Sequence, residues 1–348
     1  MNKTDATLNQ VQKHLSLGNW QAVQKYLASK DRQTFTAFDF MARGLCEFYS
    51  QGNRFAAIES LKKACELSEN DVRYLNTLSD LLLQSGQPVE AYKAARKSVE
   101  LTPDDPLSLH ALAASLSALN DYEKAYDIAR EGLKLKSHLS EHFSESFKQI
   151  ERKAHPVWRQ PLQGHSLKLV RIAKEHEAFF KTLRTNRSFQ RQINLFKSET
   201  EQAIQRDFKK AFRSPVETKK VEWIIEKNQQ PLGFASLINL DFDHKRAEIQ
   251  IGFPAKKGMT DALEATLLVL DFAFAKLNLH KVYSYVYSDN PISQKNTEHL
   301  GFQVSGFLRD HIFDKASKNW LGIHVNEMLI VDYKSNKKIE RFYKRLIG

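Results

Sequence analysis

The chain has 348 residues, 42% of them hydrophobic, and its 52 Lys and Arg outnumber 41 Asp and Glu to give a net charge of +11. That length accommodates two domains with separate cores. Two cysteines, Cys46 and Cys65, exclude a disulfide framework and a cysteine metal site, and point to a reducing cytoplasm. No apolar run approaches bilayer length, and MNKTDATLNQVQKHL lacks the apolar segment of a signal peptide, so neither a membrane span nor export is expected.

The first half reads as a repeat. Gly18, Gly52, Gly86 and Asn120 follow one another at 34-residue steps. Five residues after each anchor stand Val23, Ala57, Ala91 and Ala125; nine after stand Leu27, Leu61, Ala95 and Ala129. Small residues at fixed positions let paired helices approach closely. This period resembles that of tetratricopeptide repeats, with Pro103 where such a repeat often ends its second helix. Residues 1–152 are therefore expected to form a stacked all-α array whose concave groove docks a protein or peptide, or serves as a scaffold. HPVWRQPLQGHS, with Pro156, Pro161 and Gly164, reads as the core of a linker over residues 153–166.

The second half is different in charge. The first 150 residues hold 18 basic and 19 acidic side chains, leaving 34 basic and 22 acidic in the remainder, a net of +12 there. Such a balance suits a polyphosphate cofactor, an acidic substrate or RNA; nucleic acid is not the favoured partner. AEIQIGF (247–253) reads as a strand and PAKKGMT as a turn. DALEATLLVLDFAFAKLNL (261–279) places Leu263, Leu267, Leu270, Phe274 and Leu277 on one helical stripe. HKVYSYVYS (280–288) is a second strand, followed by DNPISQKNTEHLGF. Strand, glycine turn, helix, strand is a βαβ unit whose helix start can attract phosphate. The tail KSNKKIERFYKRLIG (334–348) reads as a basic helix.

Taken in order, these segments resemble the GNAT acetyltransferases, and within them the RimJ/RimL type. AEIQIGF is similar to the family's fourth strand, and KKGMTDALEATLL to its pyrophosphate loop and helix. Asn290, Ser293, Gly301, Phe302 and Gly306 match its Asn-x-x-Ser…Gly-Phe…Gly signature. Leu167–Arg187 and Val221–Ile249 fit the first strand and helix and the next two strands, so the resemblance spans 167–333. One departure stands in the loop: Phe253 and Lys256 replace an arginine or glutamine and a glycine, and only Gly258 remains. The fold implied is multidomain, an all-α tetratricopeptide-like array followed by an α+β GNAT fold with a mixed, mostly antiparallel sheet.

The resemblance implies acetyl-CoA as co-substrate and no metal. Transfer to an amine needs a base, a polarised thioester carbonyl and a proton for the thiolate. Glu248 matches a general-base position, with a solvent-facing residue paired to Lys245 or Arg246 as the structural alternative. Ile251, Gly252 and Phe253 would meet the acetyl carbonyl and pantetheine through backbone groups. Lys256, Lys257, Gly258, Met259 and Thr260 would surround the pyrophosphate, with Thr260 or Asp261 capping the helix. Asn290 would bond the pantetheine arm and Ser293 would protonate the thiolate, since Thr297 occupies the place where many relatives keep a tyrosine acid. His244, His280, His299, His311 and His324 form no metal or triad spacing. The function expected is acetyl-CoA-dependent N-acetyltransfer to a protein or peptide amine presented by the repeats. Alternatives are a small amine derived from an amino sugar or amino acid, and a non-catalytic adaptor.

Overall fold

The computed structural model describes residues 3–135, 140–193, 200–255, 258, 260–314 and 317–348. It divides into two compact units, 1–155 and 156–348. The first is helical: α1 Lys3–Ser16, α2 Trp20–Ala28, α3 Ala37–Tyr49, α4 Arg54–Leu67, α5 Val72–Gln84, α6 Pro88–Leu101, α7 Pro106–Ala118, α8 Tyr122–Lys134 and α9 Glu141–Ala154. Side-chain oxygens of Asn19, Thr36, Asn53, Asp71, Asp105, Asp121 and Ser140 accept bonds from first-turn amides and set the helix starts.

The 34-residue period has a backbone cause. Gly18, Gly52, Gly86 and Asn120 all adopt left-handed φ, at 65°, 67°, 76° and 62°. The residue after each reaches back into the helix just ended, as in Gln87 N to Leu82 O at 2.9 Å and Asp121 N to Leu116 O at 3.0 Å, which turns the chain into the next helix. Val23, Ala57, Ala91 and Ala125 are fully buried, as are Leu61, Ala95 and Ala129. Consecutive helices pack on one another, and α5 also meets α7, and α7 meets α9, so hairpins stack.

The second unit is built on one eight-stranded sheet in the order β1-β2-β3-β4-β5-β6-β8-β7. Its strands are β1 Leu162–Gln163, β2 Lys168–Arg171, β3 Val221–Lys227, β4 Gln230–Asp241, β5 Arg246–Gly252, β6 Lys281–Tyr287, β7 Gln303–Asp314 and β8 Asn319–Leu329. Only β5 and β6 run parallel; the other neighbours are antiparallel. The helices are α10 Glu177–Thr185, α11 Arg187–Ile193, α12 Glu201–Ala211, α13 Pro215–Thr218, α14 Asp261–Asp271, α15 Pro291–His299, α16 Ile330–Ser335 and α17 Lys337–Leu346. Both sheet faces are covered. Trp223, Ile225, Leu237, Ala247, Ile249 and Val282 pack with α14 and α17 on one side, and Ile224 and Phe234 pack with Phe180, Phe189 and Phe208 on the other. This explains why Trp223, Ile224 and Ile225 form an unbroken apolar run rather than an alternating one.

Two expectations are corrected. The stretch 153–166 is not simply a connector: Trp158 is buried against Phe242 and Phe272, and Leu162–Gln163 pairs with β2. The helix expected over 261–279 is regular only to Asp271 and continues as one π turn, Phe272–Lys276. Asn278, at φ 51°, then reverses the chain toward β6. The tail is helical as expected, and Ile339 and Leu346 of α17 pack it into the core while His165 N donates to Leu346 O at 2.8 Å.

Candidate active site

Alternation along β5 sends Ala247, Ile249 and Ile251 into the α14 core and leaves Glu248, Gln250 and Gly252 on the opposite face. Glu248 is only 7% exposed. The solvent-facing alternative therefore fails, and Arg246 pairs with Asp241 at 3.3 Å instead. Asn239 Nδ2 donates to Glu248 Oε2 at 3.2 Å, and Gln250 Nε2 donates to Oε1 at 3.0 Å. Ser236 Oγ in turn donates to Gln250 Oε1 at 3.3 Å. Burial raises the Glu248 carboxyl above its ordinary value, and the two amide donors only partly offset this. A carboxylate so placed is matched to accept a proton from an ammonium group near neutral pH.

Pairing between β5 and β6 consists of Arg246–Lys281, Ala247–Val282 and Glu248–Tyr283. Beyond Glu248, β5 stays with β4 and β6 with β8, so the sheet opens at that residue. Tyr283 stands directly across from Glu248, and the two-residue period puts Tyr285 and Tyr287 on the same face. Burial first, and the nearby Glu248 charge second, raise the Tyr283 and Tyr287 phenols and keep them protonated.

Gly252 is buried under α11: a Cβ there would come 2.3 Å from Ile193 Cδ1 and 2.6 Å from Phe189 Cε2. The Phe253 ring lies over Gly233, where a Cβ would meet it at 2.7 Å. Lys256, Lys257 and Met259 lie outside the described residues. The Gly258 amide, expected to face a pyrophosphate, donates here to Asp261 Oδ2 at 2.6 Å, and Lys227 Nζ binds Asp261 Oδ1 at 2.8 Å. The α14 start thus carries its own carboxylate. Thr260 occupies the cap position without a side-chain cap bond.

Asn290 caps α15 with its oxygen, accepting from Ser293 N at 3.1 Å. Thr297 Oγ1 donates to Ser293 O at 2.8 Å. Gln294 and Asn326, both buried, exchange two amide bonds at 2.8 and 3.0 Å and fix α15 on β8. Gly301 ends the helix at φ 97°, and Phe302 enters the core. Glu248 and the splayed part of β5 are thus assembled on one sheet face, while Asn290 and Ser293 begin the helix that follows β6. Sequence reading missed Asn239, Gln250, Tyr283 and Tyr287. The alternation of Tyr283, Tyr285 and Tyr287 on the strand that follows the Glu248 segment was the available signal. An open groove along α12, lined by Gln202, Gln205, Arg206, Lys209, Lys210 and Arg213, contains none of these residues. Among the described residues no group of three or more His, Cys, Asp or Glu could hold a metal, and no helix is long and apolar enough to cross a membrane.

Residues 166–303 match the family model described as the acetyltransferase (GNAT) domain. Over 93 residues the chain is 34% identical to spermidine N(1)-acetyltransferase of Vibrio cholerae, covering 26% of this chain and 54% of that protein. The Escherichia coli K12 enzyme of the same name is 33% identical over 92 residues, covering 26% and 50%. The chain spans about half the length of these curated relatives. Among solved structures, Vibrio cholerae spermidine N-acetyltransferase in complex with CoA and spermine is similar with a TM-score of 0.43 and 24% identity, over 49% of this chain and 99% of that one. The second unit carries a GNAT-type acetyltransferase domain.

Proposed function

We propose that the second unit transfers the acetyl group of acetyl-CoA to an amine, with Glu248 as the base. The observation that carries this reading is the buried Glu248 carboxylate standing where β5 and β6 part, inside the matched domain. Glu248 takes the ammonium proton, the freed amine nitrogen attacks the thioester carbonyl, a C–N bond forms and the C–S bond breaks. The backbone of Ile251, Gly252 and Phe253 meets the acetyl carbonyl and pantetheine. Asn290 keeps its Nδ2 for the pantetheine arm, because its cap uses only the oxygen. The resemblance assigns Lys256, Lys257, Gly258, Met259 and Thr260 to the pyrophosphate end, where phosphate would compete with Asp261 for the Gly258 amide. The departing thiolate takes a proton from Ser293 or from Tyr287, and the second proton shed by the new amide nitrogen restores that hydroxyl. A phenol is closer in acidity to a thiol than a serine hydroxyl is, which favours Tyr287.

The identity to spermidine acetyltransferases supports a small aliphatic amine as acceptor. A second reading, a protein or peptide amine of the kind RimJ/RimL-type enzymes modify, is supported by the first unit, whose 34-residue hairpins resemble tetratricopeptide repeats. The net of +12 beyond residue 150 suits the polyphosphate of acetyl-CoA. Burial raises both thiols, Cys46 and Cys65, to about 11, so neither is an activated nucleophile. Calorimetric titration of the full-length chain with acetyl-CoA tests the reading. Saturable binding that Gly252→Val abolishes supports it, and no heat at millimolar acetyl-CoA would leave the non-catalytic adaptor in its place.

A further inference from the structure

We infer that Asn239 is a positioning residue for Glu248, holding its carboxylate charged and aimed into the opening between β5 and β6. The inference rests on the reading of Glu248 as the base. Three observations carry it. Asn239 has φ 54°, a left-handed conformation that asparagine tolerates better than most side-chain-bearing residues. It lies in the one irregularity of the β4–β5 pairing, between Ile238 and Asp241, where the register shifts. That irregularity lets a β4 side chain reach across to Glu248 Oε2, 3.2 Å away, while Gln250 holds Oε1 at 3.0 Å.

The other groups facing Glu248 among the described residues cannot replace Asn239. Tyr283 and Tyr287 approach from β6; Tyr283 shares Asn239 as a hydrogen-bond partner, and both phenols stay protonated. Arg246 on the same strand is drawn to Asp241. Ser236 acts only through Gln250. Asn239 therefore supplies a direct donor to Oε2, and an amide bond to a carboxylate favours its charged form. Losing that donor raises the proton affinity of Glu248 and shrinks the fraction able to act as base in acidic solution.

The test compares parent, Asn239→Gly and Asn239→Asp in the full-length chain. Glycine keeps the left-handed turn without strain and deletes the amide. Aspartate keeps the shape but replaces the donor with a second carboxyl group. Rates are measured from pH 5 to 9 with acetyl-CoA and spermidine as the probe acceptor. The Glu248 carboxyl carbon is also titrated by 13C NMR, assigned by its loss in Glu248→Gln. We expect Asn239→Gly to lose about tenfold in kcat/KM at the acid end and to converge on the parent at the alkaline end. Asn239→Asp should shift further in the same direction, and the NMR titration should move upward in both. A titration midpoint unchanged in both variants would overturn the inference, whatever the rates. Parent-like turnover by Glu248→Gln would instead remove Glu248 as the base, and the NMR titration would still decide whether Asn239 holds it.

Discussion

Glu264 offers a stringent test of how the second unit is held together. It sits on α14 and is 1% exposed. Its Oε1 accepts from Ser166 N at 2.7 Å and Leu167 N at 2.9 Å, and its Oε2 accepts from Ser166 Oγ at 2.6 Å. One side chain thus satisfies two backbone amides in the segment leading into β2. Glu264→Ala strands both, at about 1–3 kcal/mol each, and opens a small void, so we expect a loss of about 3–5 kcal/mol. Glu264→Gln keeps an oxygen for both amides, and its NH2 can donate to Ser166 Oγ once that hydroxyl rotates. Only the charge assistance is lost, at about 1 kcal/mol. Urea unfolding of the full-length chain, followed by the fluorescence of the buried Trp158 and Trp223, reads this difference. An alanine variant within 1 kcal/mol of the parent, or a glutamine variant as damaging as alanine, would refute the reasoning.

Other consequences follow from the same geometry. Gly86 has φ 76° and open space around its missing Cβ, so Gly86→Ala costs about 1 kcal/mol from backbone strain alone. Gly86→Asn costs less, because Asn120 already fills the equivalent place at φ 62°; equal losses for both in thermal melts would contradict this. Gly252→Ala forces Ile193 and Phe189 aside and lowers stability by about 1–3 kcal/mol, with weaker acetyl-CoA binding in calorimetry. Parent-like values of both would show that α11 yields freely. Because burial raises the folded Glu248 carboxyl above 4.5, folding favours its protonated form. Its ionised form therefore weakens the fold above that raised range, and Glu248→Gln should be more stable than the parent at pH 7. The advantage shrinks as pH falls through the raised range and disappears below the ordinary one. A constant difference across pH in chemical denaturation would show that the carboxyl is not destabilised by burial.

Much of this was legible in the residues, for physical reasons. The helical period was readable because Gly18, Gly52, Gly86 and Asn120 mark positions that need a left-handed backbone, and sequence records such needs directly. The strand, glycine turn and helix around Glu248 were readable from the residue pattern, whereas Glu248 itself was singled out by the resemblance to GNAT enzymes. Asn239 was not, since its contact depends on a pairing irregularity that no local pattern announces. The end of α14 was misjudged because the apolar stripe runs on through Phe274 and Leu277, while Asn278 at φ 51° decides where the chain reverses. The Leu162–Gln163 strand was hidden among prolines and glycine that read as a connector. Its place is set by the distant Trp158 and Glu264 contacts.

The most direct measurement of the central proposal is acetyl transfer by the full-length chain, parent beside Glu248→Gln. Acetyl-CoA is supplied with spermidine, simple alkylamines and short peptides with free N-termini, and acetylated products are identified by mass spectrometry. The account predicts product on at least one amine, with Glu248→Gln binding acetyl-CoA like the parent but turning over at least a hundredfold more slowly. Undiminished turnover by Glu248→Gln, or acetyl-CoA binding with no product on any amine, would contradict it.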